Sequence, residues 1–137
     1  MLSFLRLNFL PASVDLGLLL LRATAGGSML WLHGKGKMME FATVSEKFPA
    51  VIGNPKISLG LTIFAEVFCA GLLVLGLFGR FAALALSITM GVAFFITHKM
   101  ALTGEHSGET AFLFLIAYAA LFLTGPGKFS LDGGGSK

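Results

Sequence analysis

Arg22 follows a run of four leucines, and Glu66 stands in Ile63-Phe64-Ala65-Glu66-Val67-Phe68. A charge at the centre of a bilayer costs about 2.5–3.5 kcal/mol even on lenient insertion scales, so such residues are expected to face inward and find a partner. The two lie roughly eight and nine residues into apolar stretches that run in opposite directions, which places both near mid-depth and predicts an Arg22–Glu66 ion pair. Such a pair has two uses. It can fix helix register, although desolvation offsets much of the attraction in a buried pair. It can also hydrogen-bond a polar group brought into the membrane and exchange protons with it, and that makes Arg22 and Glu66 the candidate catalytic residues.

The remaining chemistry collects at one end of the apolar stretches. His33, Lys35, Lys37, His98, Glu105, His106 and Glu109 include every histidine of the chain. Arg22 and His33 are separated by close to three regular helical turns and so share a face, while Ser87, Gly91, Phe94 and His98 form a similar stripe. The expected arrangement is a polar mouth above a buried pair, with His33, Lys37, His98 and Glu109 as candidate substrate-binding residues. Plainer roles exist for several of them. Lys35 and Lys37 can snorkel to the interface, Glu109 can complement a helix dipole, and His106 can be solvated.

A metal site is not expected, since neither His-x-x-x-His nor Glu-x-x-His spacing occurs; a haem held by His33 and His98 has equally little support. Gly34-Lys35-Gly36-Lys37 is too short for a phosphate loop and follows an apolar helix. Cys69 is the single cysteine, and its apolar setting suits a small buried hydrophobe rather than a reactive thiol.

These residues must be positioned by helices. A membrane-crossing helix needs about 20 mostly apolar residues, and four stretches approach this: Val14–Leu32, Ile57–Phe78, Arg80–Thr97 and Glu109–Thr124. Pro11 with Ser13 or Asp15 starts the first, and Gly34 and Gly36 stop it. Leu77-Phe78-Gly79-Arg80 joins the second and third so tightly that they must be antiparallel neighbours, with Gly79 making the turn. Met38, Phe41, Val44 and Phe48 predict a short interfacial helix between the first two, ended by Phe48-Pro49 and Asn54-Pro55. Ser107 is a plausible N-cap for the fourth. Small residues inside the spans, among them Gly17, Gly27, Ala70, Ala82, Ala83 and Gly91, allow close helix packing in lipid. The expected fold is therefore all-α: an integral membrane four-helix bundle over residues 1–132, with a flexible tail at 133–137.

Composition agrees. Of 137 residues, 55% are hydrophobic and only 12% charged, against about 25% charged in soluble domains. Mean hydropathy is +0.87. The net charge of +3 comes from scattered residues, not a basic run, which argues against nucleic acid. With an even number of spans both termini share one side; the opposite side, called here the loop side, carries slightly more lysine and arginine.

In order and spacing the chain resembles the DoxX family of small four-helix bacterial membrane proteins. The likeness rests on Leu21-Arg22, His33-Gly34-Lys35-Gly36-Lys37, Ala65-Glu66, Gly71 to Leu77, Gly79-Arg80 with Ala82-Ala83, Met90, His98, Glu109, and Gly125-Pro126-Gly127-Lys128-Phe129-Ser130-Leu131-Asp132. The resemblance implies a multi-pass protein of the bacterial inner membrane, with relatives linked to thiosulfate:quinone oxidoreduction or to oxidative-stress complexes. It makes a quinone the candidate ligand and an oxidoreductase subunit the expected role. Electrons would come from a soluble or membrane redox partner, and the other expected partners are the lipid bilayer and a second copy of the chain. Two further readings stand beside it, a membrane scaffold that recruits a soluble redox enzyme and a proton-coupled carrier of a small solute. No inverted repeat supports the carrier.

Overall fold

The computed structural model describes residues 1–105 and 107–133, and every regular element among them is helical. After a single turn, α1 (Leu2–Leu5), the first long helix begins as α2 (Val14–Ser28). Ser13 starts it: its Oγ accepts the Leu16 N–H at 3.1 Å, and Asp15 lies in the first turn. The expected stop at Gly34 does not occur. The helix runs on through a π-helical segment, Met29–Gly34, into α3 (Lys35–Met39), giving a rod of about 39 Å at 1.5 Å per residue. Gly34 lets this rod approach its neighbour, since a Cβ there would lie 2.6 Å from the Glu66 carbonyl oxygen. Gly34→Ala should therefore force the two rods apart and cost about 1–3 kcal/mol, readable as a lowered unfolding temperature in detergent. The rod breaks at Glu40 and is followed by α4 (Phe41–Lys47), the short helix expected there.

The second rod starts two residues earlier than expected. Asn54 Oδ1 accepts the Ile57 N–H at 3.0 Å and Pro55 fits the first turn, so α5 covers Pro55–Ile63. A second π-helical segment, Phe64–Cys69, leads into α6 (Ala70–Leu75). The tight turn that follows is made by Gly76 (φ 73°) and Phe78 (φ 49°) in left-handed conformation, not by Gly79. Gly79 opens α7 (Gly79–Val92), where a Cβ would lie 2.7 Å from Pro126, so its smallness serves packing. A third π-helical segment, Ala93–Thr97, ends this rod at His98. The last helix, α8 (Glu109–Thr124), follows Gly108, and Ser107 Oγ accepts the Glu109 N–H at 3.0 Å.

Two helices, Pro55–Leu75 and Gly79–Thr97, are long and apolar enough to cross a membrane, and α8 is apolar but shorter. Met29, Leu73, Leu86, Tyr118 and Leu121 fill the space between the rods, and the Tyr118 hydroxyl donates to the Ala25 carbonyl at 2.9 Å. Outward positions are also apolar: Leu20, Trp31, Phe68, Ile88, Ile96, Leu113 and Leu123 are exposed.

The segment after α8 folds back beneath the rods. Asp132 accepts the Phe78 and Gly79 N–H groups at 2.8 and 2.9 Å, capping α7 across the chain, and Asp15 accepts the Lys128 N–H at 2.9 Å. Asp132→Ala leaves the first N–H groups of α7 without these acceptors and should cost about 1–2 kcal/mol of stability, measurable by thermal unfolding. His106 and the 134–137 part of the expected flexible tail lie outside the described residues.

Candidate functional site

Glu66 sits in the π-helical segment of the second rod and is 3% exposed. Its partner is Lys37, on the added turns of the first rod, whose Nζ donates to Glu66 Oε2 at 2.6 Å. The Lys37 side chain keeps 27% of its surface, so the ammonium closes the buried carboxylate while its other donors can reach outward.

The pair lines a cavity of about 470 Å³ between the second and third rods, covered by the segment after α4. His98 borders the same cavity, and Gly108 lets the start of α8 close against that histidine, since a Cβ there would come within 2.7 Å of His98 Cβ. The rest of the wall is mostly apolar, including Phe48, Ile52, Leu61, Phe64, Ile88 and Val92. Ser58, buried in α5, fixes the cover: its Oγ accepts the Ile52 N–H and donates to the Ile52 carbonyl, both at 2.8 Å. A volume of this order is ordinary for a small-molecule site, and so is a mostly apolar wall with a few polar groups.

Arg22 is elsewhere. It is 2% exposed, and its guanidinium donates to the carbonyls of Leu73 (3.0 Å), Pro126 (3.4 Å) and Phe129 (2.7 and 3.1 Å). The expected Arg22–Glu66 pair does not form. Gly34, not Arg22, is level with Glu66, and Arg22 precedes it by twelve residues, roughly 18 Å along the axis. Counting depth from assumed helix ends failed because the first rod continues past Gly34.

His33 does not reach the cavity either; its ring meets Phe114 of α8 edge-on, with centroids 5.7 Å apart. A π-helical turn advances the face differently from an α-turn, so the stripe shared by Arg22 and His33 is rotated between them. Glu109 is exposed in the first turn of α8 and lies outside the cavity lining. Of the candidate residues, then, the fold brings together Lys37, Glu66 and His98. Among the described residues no three His, Cys, Asp or Glu side chains converge as a metal site would require.

The DoxX family model matches residues 17–99, which hold Lys37, Glu66 and His98. The chain belongs to the DoxX family. It is also similar to a protein of Haemophilus influenzae described only as uncharacterized, with 31% identity over 109 residues that cover 76% of this chain and 80% of the relative. No solved structure matches it. Family membership and the two long apolar helices point to a membrane protein.

Sequence reasoning about this DoxX protein missed the hydroxyls of the site. Thr62 and Thr89 line the cavity, each donating to the carbonyl four residues earlier, Ser58 and Ala85, at 2.9 Å. Their spacing within apolar helices carries no signal, because threonine in such a helix ordinarily satisfies itself this way.

Proposed function

We propose that this DoxX protein is a four-span protein of the bacterial inner membrane and the membrane subunit of an oxidoreductase system, holding a quinone or quinol at Lys37, Glu66 and His98. The observation that carries the reading is the Lys37–Glu66 pair, its carboxylate buried, in the wall of a mostly apolar cavity. The apolar outer surface supports immersion in lipid, and α8 can span if the bilayer thins locally.

Charge narrows the ligand class. Lys37 and Glu66 neutralise each other, so an anion would have to displace the carboxylate and a cation the ammonium. A neutral head that accepts hydrogen bonds, as a quinone does, or accepts and donates them, as a quinol does, disturbs neither. The spare Lys37 donors and His98 are the groups to meet its oxygens, and the apolar wall takes the ring and the start of a tail. Arg22 has an architectural part in this reading, and Glu109 is a helix-terminal charge.

Equilibrium titration of the protein in nanodiscs with a ubiquinone-type ring carrying a decyl chain tests the proposal. Saturable binding at one site, weakened about tenfold or more in Glu66→Gln, is expected. Partition into the nanodisc that does not saturate, identical in both proteins, would overturn it.

A further inference from the structure

The cavity has a side as well as a mouth. Leu61 of α5 and Ile88 of α7 both line it, and they are 49% and 60% exposed. Apolar side chains that line a cavity and stay this exposed mark a place where its wall is open.

The packing explains the opening. Phe64–Cys69 and α6 pack against α7, whereas α5 packs against α3 and α4 and stands off from the third rod. The second and third rods therefore touch from the turn at Gly76 up to the level of Glu66 and diverge beyond it. The divergence begins at the π-helical segment that carries Glu66, and π-bulges are recognised causes of helix re-aiming. Phe64, also exposed and also in the wall, stands at the fork. Above, the route is covered: Phe48, Pro49, Val51 and Ile52 overlie the cavity, and the two hydrogen bonds of Ser58 hold Ile52 in place.

Resting on the quinone reading above, we propose that the ligand enters sideways from the loop-side half of the bilayer, between α5 and α7 past Leu61 and Ile88, with its head toward Lys37 and Glu66. Its tail stays in the opening and lies among lipid chains. The cavity accepts a head and the first part of a tail, so a long-chain lipid cannot be enclosed whole, and the fork between the rods is where its remainder leaves. The substrate class is thus a tailed, neutral-headed lipid rather than a water-borne solute arriving through the mouth.

Narrowing the fork tests the route. Leu61→Trp and Ile88→Trp add bulk at exposed apolar positions, and binding of two probes is measured in nanodiscs: a ubiquinone-type ring without a tail, and the same ring with a decyl chain. The expected result is that each variant weakens the tailed probe about tenfold or more beyond whatever it costs the tail-less ring, which still binds. Retained binding of the bare ring shows that the variants are folded and the head site intact. Equal loss of both probes, or unchanged binding of both, would overturn lateral entry while leaving the quinone site standing. Failure of wild type to bind either probe would overturn both.

Discussion

Arg22→Gln is expected to lose about 3–5 kcal/mol of stability, a large drop in unfolding temperature in mild detergent. The guanidinium serves the carbonyls of Leu73, Pro126 and Phe129 from a position that is almost fully buried. A glutamine has fewer donors and a shorter stem, so it strands acceptors that water cannot reach. The fold-back segment would loosen with it, since Arg22 ties that segment to both α2 and α6. Arg22→Lys keeps a cation but not the planar fork, and an intermediate loss is expected. Thermal unfolding read by the near-ultraviolet signal checks the order wild type, Lys, Gln; a fully stable Arg22→Gln would show that Asp15, Asp132 and the backbone hydrogen bonds of Leu131 and Asp132 hold the tail without the guanidinium.

The second large effect is an asymmetry within the ion pair. Lys37→Met leaves the Glu66 carboxylate buried without its ammonium, and a loss of about 3 kcal/mol or more is expected. Glu66→Gln leaves Lys37 partly exposed and free to turn outward, and the amide oxygen can still accept its hydrogen bond, so about 1 kcal/mol is the expected loss. The double variant should recover most of what Lys37→Met costs. Unfolding of the four proteins as a double-mutant cycle measures this. Simple additivity would mean that the pair seen at 2.6 Å contributes nothing to the fold. In ligand binding the order reverses in one respect: the stable Glu66→Gln should still lose the quinone, because a neutral amide holds the partly exposed ammonium too weakly to keep the Lys37 donors aimed at the ligand.

Much of this was readable from the chain. Three of the four apolar stretches are helical within a few residues of their expected limits, the first runs on seven residues past Leu32, and Lys37, Glu66 and His98 were all expected to contribute to one polar region. What was not readable was which charge meets which. Regular α-geometry, applied from Arg22 onward, ended the first helix at Gly34, put Arg22 level with Glu66 and aligned it with His33. Three π-helical segments, at Met29–Gly34, Phe64–Cys69 and Ala93–Thr97, break that geometry, and hydrophobic periodicity does not announce them. Gly34 shows the difficulty in one residue. A glycine near the end of an apolar run ordinarily signals termination, yet here it is the point of closest approach to Glu66. The work of Asp15 and Asp132 was equally hidden: Asp15 at a helix start reads as a local cap, Asp132 lies in a tail without periodic signal, and their partners lie over a hundred and about fifty residues away in the chain.

The measurement that bears most directly on the site is the quinone content of gently purified protein, taken by mass spectrometry of an organic extract from wild type and from Glu66→Gln, with folding of both verified. The account predicts a quinone retained stoichiometrically by the wild type and reduced to the background of bulk lipid in the variant. Wild-type protein that is folded and carries only bulk lipid, or a variant that retains as much quinone as the wild type, would contradict it.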